Sequence, residues 1–159
     1  MTLFEPARDR KQISGQLIWF LVWVGVTGVA AFLTPNASGH GTHQALGMPP
    51  CPSVLLFDRP CPGCGLTTSW TAFVHGNFAL SFRAHALGPA TYLLFTLGAW
   101  ACLYGWIKNW RFGSDEKWAH RSVSVAVAVF LAFGLIRMAV SPGFAMPEER
   151  WMTQLINSK

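Results

Sequence analysis

Three of the chain's four cysteines, Cys51, Cys61 and Cys64, fall within fourteen residues. Two of them share the phrase Cys61-Pro62-Gly63-Cys64-Gly65, a knuckle in which thiols three positions apart can aim at one centre. Pro62 fixes the opening of the turn, and Gly65 permits a positive φ behind the second thiol. Such a turn directs backbone N–H groups at the sulfurs. Thiols ahead of a helix N-terminus also titrate low, which suits metal ligation or thiol exchange. The next residues, Leu66-Thr67-Thr68-Ser69-Trp70, begin a helix with Thr67 or Thr68 expected as its N-cap. Among the imidazoles, His43 lies eight residues before Cys51 and is the natural fourth ligand, with His40 and His75 in reserve.

Three chemistries suit these residues. The first is a tetrahedral Cys₃His zinc site built from Cys51, Cys61, Cys64 and His43. The second is an exchanging Cys61/Cys64 dithiol, as in a membrane thiol–disulfide oxidoreductase, with Cys51 as the shuttle or resolving thiol. The third is one ordinary disulfide and a leftover thiol in an oxidising compartment. Parity favours metal, because three thiols and an imidazole complete a four-coordinate site whereas disulfide schemes leave one sulfur over. The other two chemistries stay open. Cys102 stands apart and reads as a packing thiol.

Other chemistry is poorly supplied. No phosphate loop, catalytic triad or paired-carboxylate site is visible, and seven acidic residues leave little for general acid–base hydrolysis. Hydrophobic residues make up 52% of the chain and charged residues 12%, about half the share in a typical soluble domain. So few charges cannot coat a water-soluble globule, so the sulfur-bearing segment must be positioned by elements that lie in a membrane. The net charge of +5 belongs to basic residues flanking apolar runs; it marks topology, and no nucleic-acid partner is expected.

The expected fold is an all-α integral membrane protein forming one domain over residues 1–159. Its three spans cover about residues 13–33, 84–107 and 122–140, each long enough to cross a hydrocarbon core of roughly 30 Å. The first, although preceded by Arg8, Arg10 and Lys11, is longer than a signal-peptide core and is read as a retained anchor. The third contains Arg137 near one end, where its guanidinium is expected to snorkel to the headgroups. Three basic residues precede the first span and four lie between the second and third, against two in loop 34–83 and two in the C-terminal tail. That bias places the N-terminus in the cytoplasm and the Cys-rich loop outside. Thr67–Phe82, uncharged and broken at Gly76-Asn77, is expected as a half-helix at or dipping into the outer leaflet. Residues 147–159 are expected as a short interfacial helix, with Glu148 and Glu149 in its first turn.

The run His43-Gln44-Ala45-Leu46-Gly47-Met48-Pro49-Pro50-Cys51, followed by Pro60-Cys61-Pro62-Gly63-Cys64-Gly65-Leu66-Thr67-Thr68, resembles an uncharacterised bacterial polytopic membrane-protein family. That family, a domain of unknown function, is marked by a Cys-Pro pair and then P-C-P-x-C-G-x-T. The likeness extends over roughly residues 40–95. Many relatives carry Thr-Arg after the knuckle where this chain has Thr67-Thr68, so no arginine role transfers. The resemblance implies a bacterial inner-membrane setting, an architecture and a site, but no reaction. With the residues themselves, it points to a small accessory or structural subunit with zinc in its outer loop. Its expected partners are the lipid bilayer and other membrane subunits.

Overall fold

The computed structural model describes residues 4–7, 9–112, 117–147, 149–151 and 154. In chain order the elements are β1 (Phe4–Pro6), α1 (Ser14–Phe32), α2 (Pro52–Phe57), α3 (Leu66–Val74), α4 (Phe78–Ala84), α5 (Gly88–Lys108), β2 (Trp110–Phe112) and α6 (Lys117–Val140). Helices α1 and α5, and residues His120–Val140 of α6, are long and apolar enough to cross a membrane. Three-span helical architecture is therefore observed, with differences in detail.

The second span starts at Gly88, not Ala84. His85 is extended, with φ −156° and ψ 112°, and separates α4 from α5. Pro89 lies in the first turn of α5, where a missing N–H costs nothing. The expected half-helix is two helices, α3 and α4. Between them Gly76 takes a φ of +75°, and the Asn77 side chain accepts from the Leu80 N–H at 3.1 Å to cap α4. Of the C-terminal segment, residues 147, 149–151 and 154 are helical, and Trp151 is exposed. The remainder of 147–159 lies outside the described residues.

A short sheet was not expected. β1 pairs antiparallel with β2, in the register Phe4↔Phe112, Glu5↔Arg111 and Pro6↔Trp110, and the Ala7 N–H donates to the Asn109 carbonyl at 2.8 Å. Asn109 turns the chain out of α5 at a φ of +53°. Three-residue strands show no periodicity that a sequence reading can detect. The ladder nevertheless places both basic segments at the same end of the molecule.

α1 and α5 are joined by polar bonds between apolar rings. Trp23 Nε1 donates to Thr96 Oγ1 at 3.0 Å, Thr27 Oγ1 and the Tyr92 hydroxyl are 3.1 Å apart, and Trp19 meets Phe95 edge-on at 5.3 Å. α3 joins this pair: Trp70 stacks on Phe95 at 5.7 Å and donates to the Gly88 carbonyl at 3.1 Å. Ser81 Oγ donates to the Ser69 carbonyl at 2.7 Å, tying α4 to α3.

α6 reaches the loop through Phe130, Phe133, Gly134 and Arg137. His85 stacks on Phe130 at 5.4 Å, and a side chain at Gly134 would collide with Pro62 of the knuckle. Arg137 does not snorkel. Its guanidinium turns inward, donating to the Cys64 carbonyl at 2.7 Å and the Ala84 carbonyl at 2.8 Å, with Phe144 5.2 Å from its centre. A planar fork that satisfies two carbonyls of the packed loop is worth more than a solvated position among headgroups.

Candidate metal centre

Two separate segments deliver the sulfurs. Cys51 precedes α2, whose first helical residue is Pro52, and the Val54 and Leu55 N–H groups donate to its carbonyl at 3.0 and 3.1 Å. The knuckle closes on itself: the Cys64 N–H donates to the Cys61 carbonyl at 3.0 Å and the Leu66 N–H to the Gly63 carbonyl at 3.1 Å. Gly65 then adopts a φ of +84°, and a Cβ there would meet the Ala84 carbonyl oxygen and, at 2.8 Å, that of Gly39. Only glycine fits this position.

Gly65, not a threonine, is the N-cap of α3, two residues before Thr67 and three before Thr68. Thr68 is buried, with its Oγ1 2.8 Å from Thr42 Oγ1, and Thr67 is exposed. Thr68 thus holds the His-bearing turn Thr42–Leu46 against α3 rather than capping the helix.

The three sulfurs converge. Cys51, Cys61 and Cys64 lie within 4.8 Å of one another, the Cys61 and Cys64 sulfurs are 3.3 Å apart, and all four cysteines of the chain are unbridged. Val54, Cys64 and Ala145 form a small core on which Cys51, Cys61 and Phe144 pack. The C-terminal segment closes over it, because the Ala145 N–H donates to Asp58 Oδ1 at 2.6 Å and the Phe144 N–H to the Asp58 carbonyl at 3.1 Å. Arg59 donates to the Met138 and Ala139 carbonyls at the end of α6, at 3.1 and 2.9 Å. His85 Nε2 donates to the Pro62 carbonyl at 3.1 Å.

Burial pushes the Cys64 thiol well above its ordinary value, and its contacts with the Cys61 and Cys51 thiols push the same way. Burial also acts upward on Cys51. There it is outweighed by the Cys64 and Cys61 thiols and by the Ser53 and Val54 N–H groups, so Cys51 titrates below its usual range. The downward shift thus falls on Cys51, ahead of the knuckle, while the knuckle thiol Cys64 is shifted upward, against expectation. The reason is that Cys64 is only 8% exposed.

The sulfurs border a cavity of about 410 Å³ whose wall also includes His40, His43, Met48, Thr68 and Glu149. His43 is half-buried there but is not part of the 4.8 Å sulfur group. His40 is buried and paired with Glu149. His75 is exposed at the end of α3, away from this wall, and Cys102 lies on α5 outside the group. Arg137, His85 and Glu149 carry much of the local bonding and were not foreseen as site residues. For Arg137 a signal existed, a charge inside an apolar run.

These donors are what a thiophilic divalent ion selects: three sulfurs at one centre and imidazoles beside them. Residues 51–99 match a family described as "Protein of unknown function (DUF2752)". The matched segment runs from Cys51 through the knuckle, α3 and α4 into α5, and covers 49 of the 159 residues. Over it, the resemblance to an uncharacterised family is borne out, while His40, His43, α1 and α6 lie outside. No curated protein and no solved structure matches the chain.

Proposed function

We propose that this protein is a small multi-pass membrane subunit whose Cys51, Cys61 and Cys64 bind one zinc ion. The observation that carries this reading is the convergence of three sulfurs from two separate segments to within 4.8 Å. Thiolates about 2.3 Å from one tetrahedral ion stand about 3.8 Å from each other, so the observed grouping suits a shared ion. An imidazole from the cavity wall completes the set: His43, nominated by spacing, or His40. Bound zinc supplies a cross-link, with free energy of roughly 10–16 kcal/mol in small structural sites, ample to hold a Pro/Gly-rich loop.

The role we assign is structural, in an accessory subunit associated with other membrane proteins. The excess of Lys and Arg in the two segments at the ladder end supports a bacterial inner-membrane orientation, N-terminus cytoplasmic and sulfur site outside. One observation favours a second reading, thiol–disulfide exchange: the 3.3 Å approach of the Cys61 and Cys64 sulfurs. Elemental analysis of purified protein, with maleimide counting before and after chelation, separates the two. The zinc reading expects one zinc per chain and three thiols released by chelator. A Cys61–Cys64 disulfide in metal-free protein supports exchange instead.

A further inference from the structure

Beside the sulfurs stands a polar pair, His40 and Glu149, that decides between the two candidate imidazoles. His40 is 5% exposed, and its ring stacks at 4.4 Å on Phe144, which itself packs on the Cys64 core. His40 Nε2 lies 2.9 Å from Glu149 Oε2. Glu149 also accepts from Gln44 Nε2 at 2.8 Å and from the Met146 N–H at 2.8 Å.

Glu149 is the acceptor for the Gln44 and Met146 donors, so His40 donates to it from Nε2 as well, which leaves the lone pair of the neutral ring on Nδ1. That Nδ1 is buried and has no hydrogen-bond partner. A buried ring nitrogen with nothing to bind, beside three convergent sulfurs on the wall of one cavity, is an incomplete site. An imidazole whose other nitrogen donates to a carboxylate is also the arrangement in which protein histidines hold zinc. His43 is half-buried, and no carboxylate among the described residues pairs with it.

Building on the zinc reading above, we propose that His40, not His43, is the fourth ligand through Nδ1. Glu149 is its orienting carboxylate, so the C-terminal segment is part of the metal site. No imidazole nitrogen lies inside the 4.8 Å sulfur group, so ligation draws the His40 wall and the knuckle together. Glu149 follows through its bond to His40.

The test uses the full-length protein in detergent, with Co(II) as the spectroscopic probe and zinc competition for affinity. Wild type is compared with His40→Cys, His43→Cys, Glu149→Gln and Cys51→Ser. Replacing a ligating imidazole by a thiol keeps the metal and adds a sulfur. His40→Cys should therefore intensify the thiolate-to-cobalt charge-transfer band, and His43→Cys should leave it as in wild type. Glu149→Gln should bind one equivalent of zinc with roughly 10–100-fold lower affinity. A band unchanged in His40→Cys, or raised by His43→Cys, overturns the assignment while the three-sulfur reading stands. Absence of any thiolate-to-cobalt band in wild type, matching Cys51→Ser, instead removes the zinc reading.

Discussion

Cys51 and Cys64 belong to one sulfur group yet shift in opposite directions: at Cys51 burial is outweighed by the Cys64 and Cys61 thiols and then by the Ser53 and Val54 N–H groups, whereas burial in a small apolar core dominates at Cys64. Gly65 sets the geometry behind them. Gly65→Ala must place a Cβ against two carbonyls at a φ of +84°, and should destabilise the detergent-solubilised protein by at least about 2 kcal/mol. A drop in thermal midpoint checks this, and an unchanged midpoint would contradict the packing. Glu149 adds a pH dependence. Its folded carboxyl titrates below the unfolded value of about 4.3, so its contribution is complete above that pH and is lost as pH falls through the folded value. Thermal midpoints of wild type and Glu149→Gln should therefore converge as the pH is lowered past 4, and stay apart at pH 7.

Between elements, the knuckle is held from the side by α6. Pro62 sits on Gly134, Arg137 forks onto the Cys64 and Ala84 carbonyls, and Arg59 returns the contact at the end of the helix. Arg137→Met leaves two carbonyls without their charged donor and should cost about 2–4 kcal/mol in thermal stability. Arg137→Lys should recover only part, since an ammonium lacks the fork. Equal midpoints for wild type and Arg137→Met would show that the guanidinium does not brace the site. The three spans and the Gly76-Asn77 break were legible because they are local: apolar length, a glycine, an N-capping side chain. The knuckle was legible for the same reason, its turn residues being adjacent. Arg137 onto Cys64, Glu149 onto His40 and β1 onto β2 join residues dozens of positions apart, and no period or propensity records such a pairing. The N-cap was misplaced because Gly65 has a second task, close approach to Gly39 and Ala84, which a threonine cap could not perform.

For the whole molecule, the sulfurs give a handle on topology. If the ladder end is cytoplasmic, an impermeant thiol reagent added to cells with a permeabilised outer membrane should reach the chelator-released Cys61 and Cys64. Labelling only after the inner membrane is broken would reverse the orientation. Zinc at the site would tie the segment after α1, the knuckle and the C-terminal tail into one unit beside the membrane helices, the form expected of a subunit that presents a rigid face to partners. The most direct measurement is X-ray absorption at the zinc edge of the purified full-length protein. The account predicts three sulfur neighbours at about 2.3 Å and one nitrogen at about 2.0–2.1 Å. A first shell of oxygen and nitrogen alone, or no zinc in protein whose Cys61 and Cys64 are disulfide-linked, would contradict it.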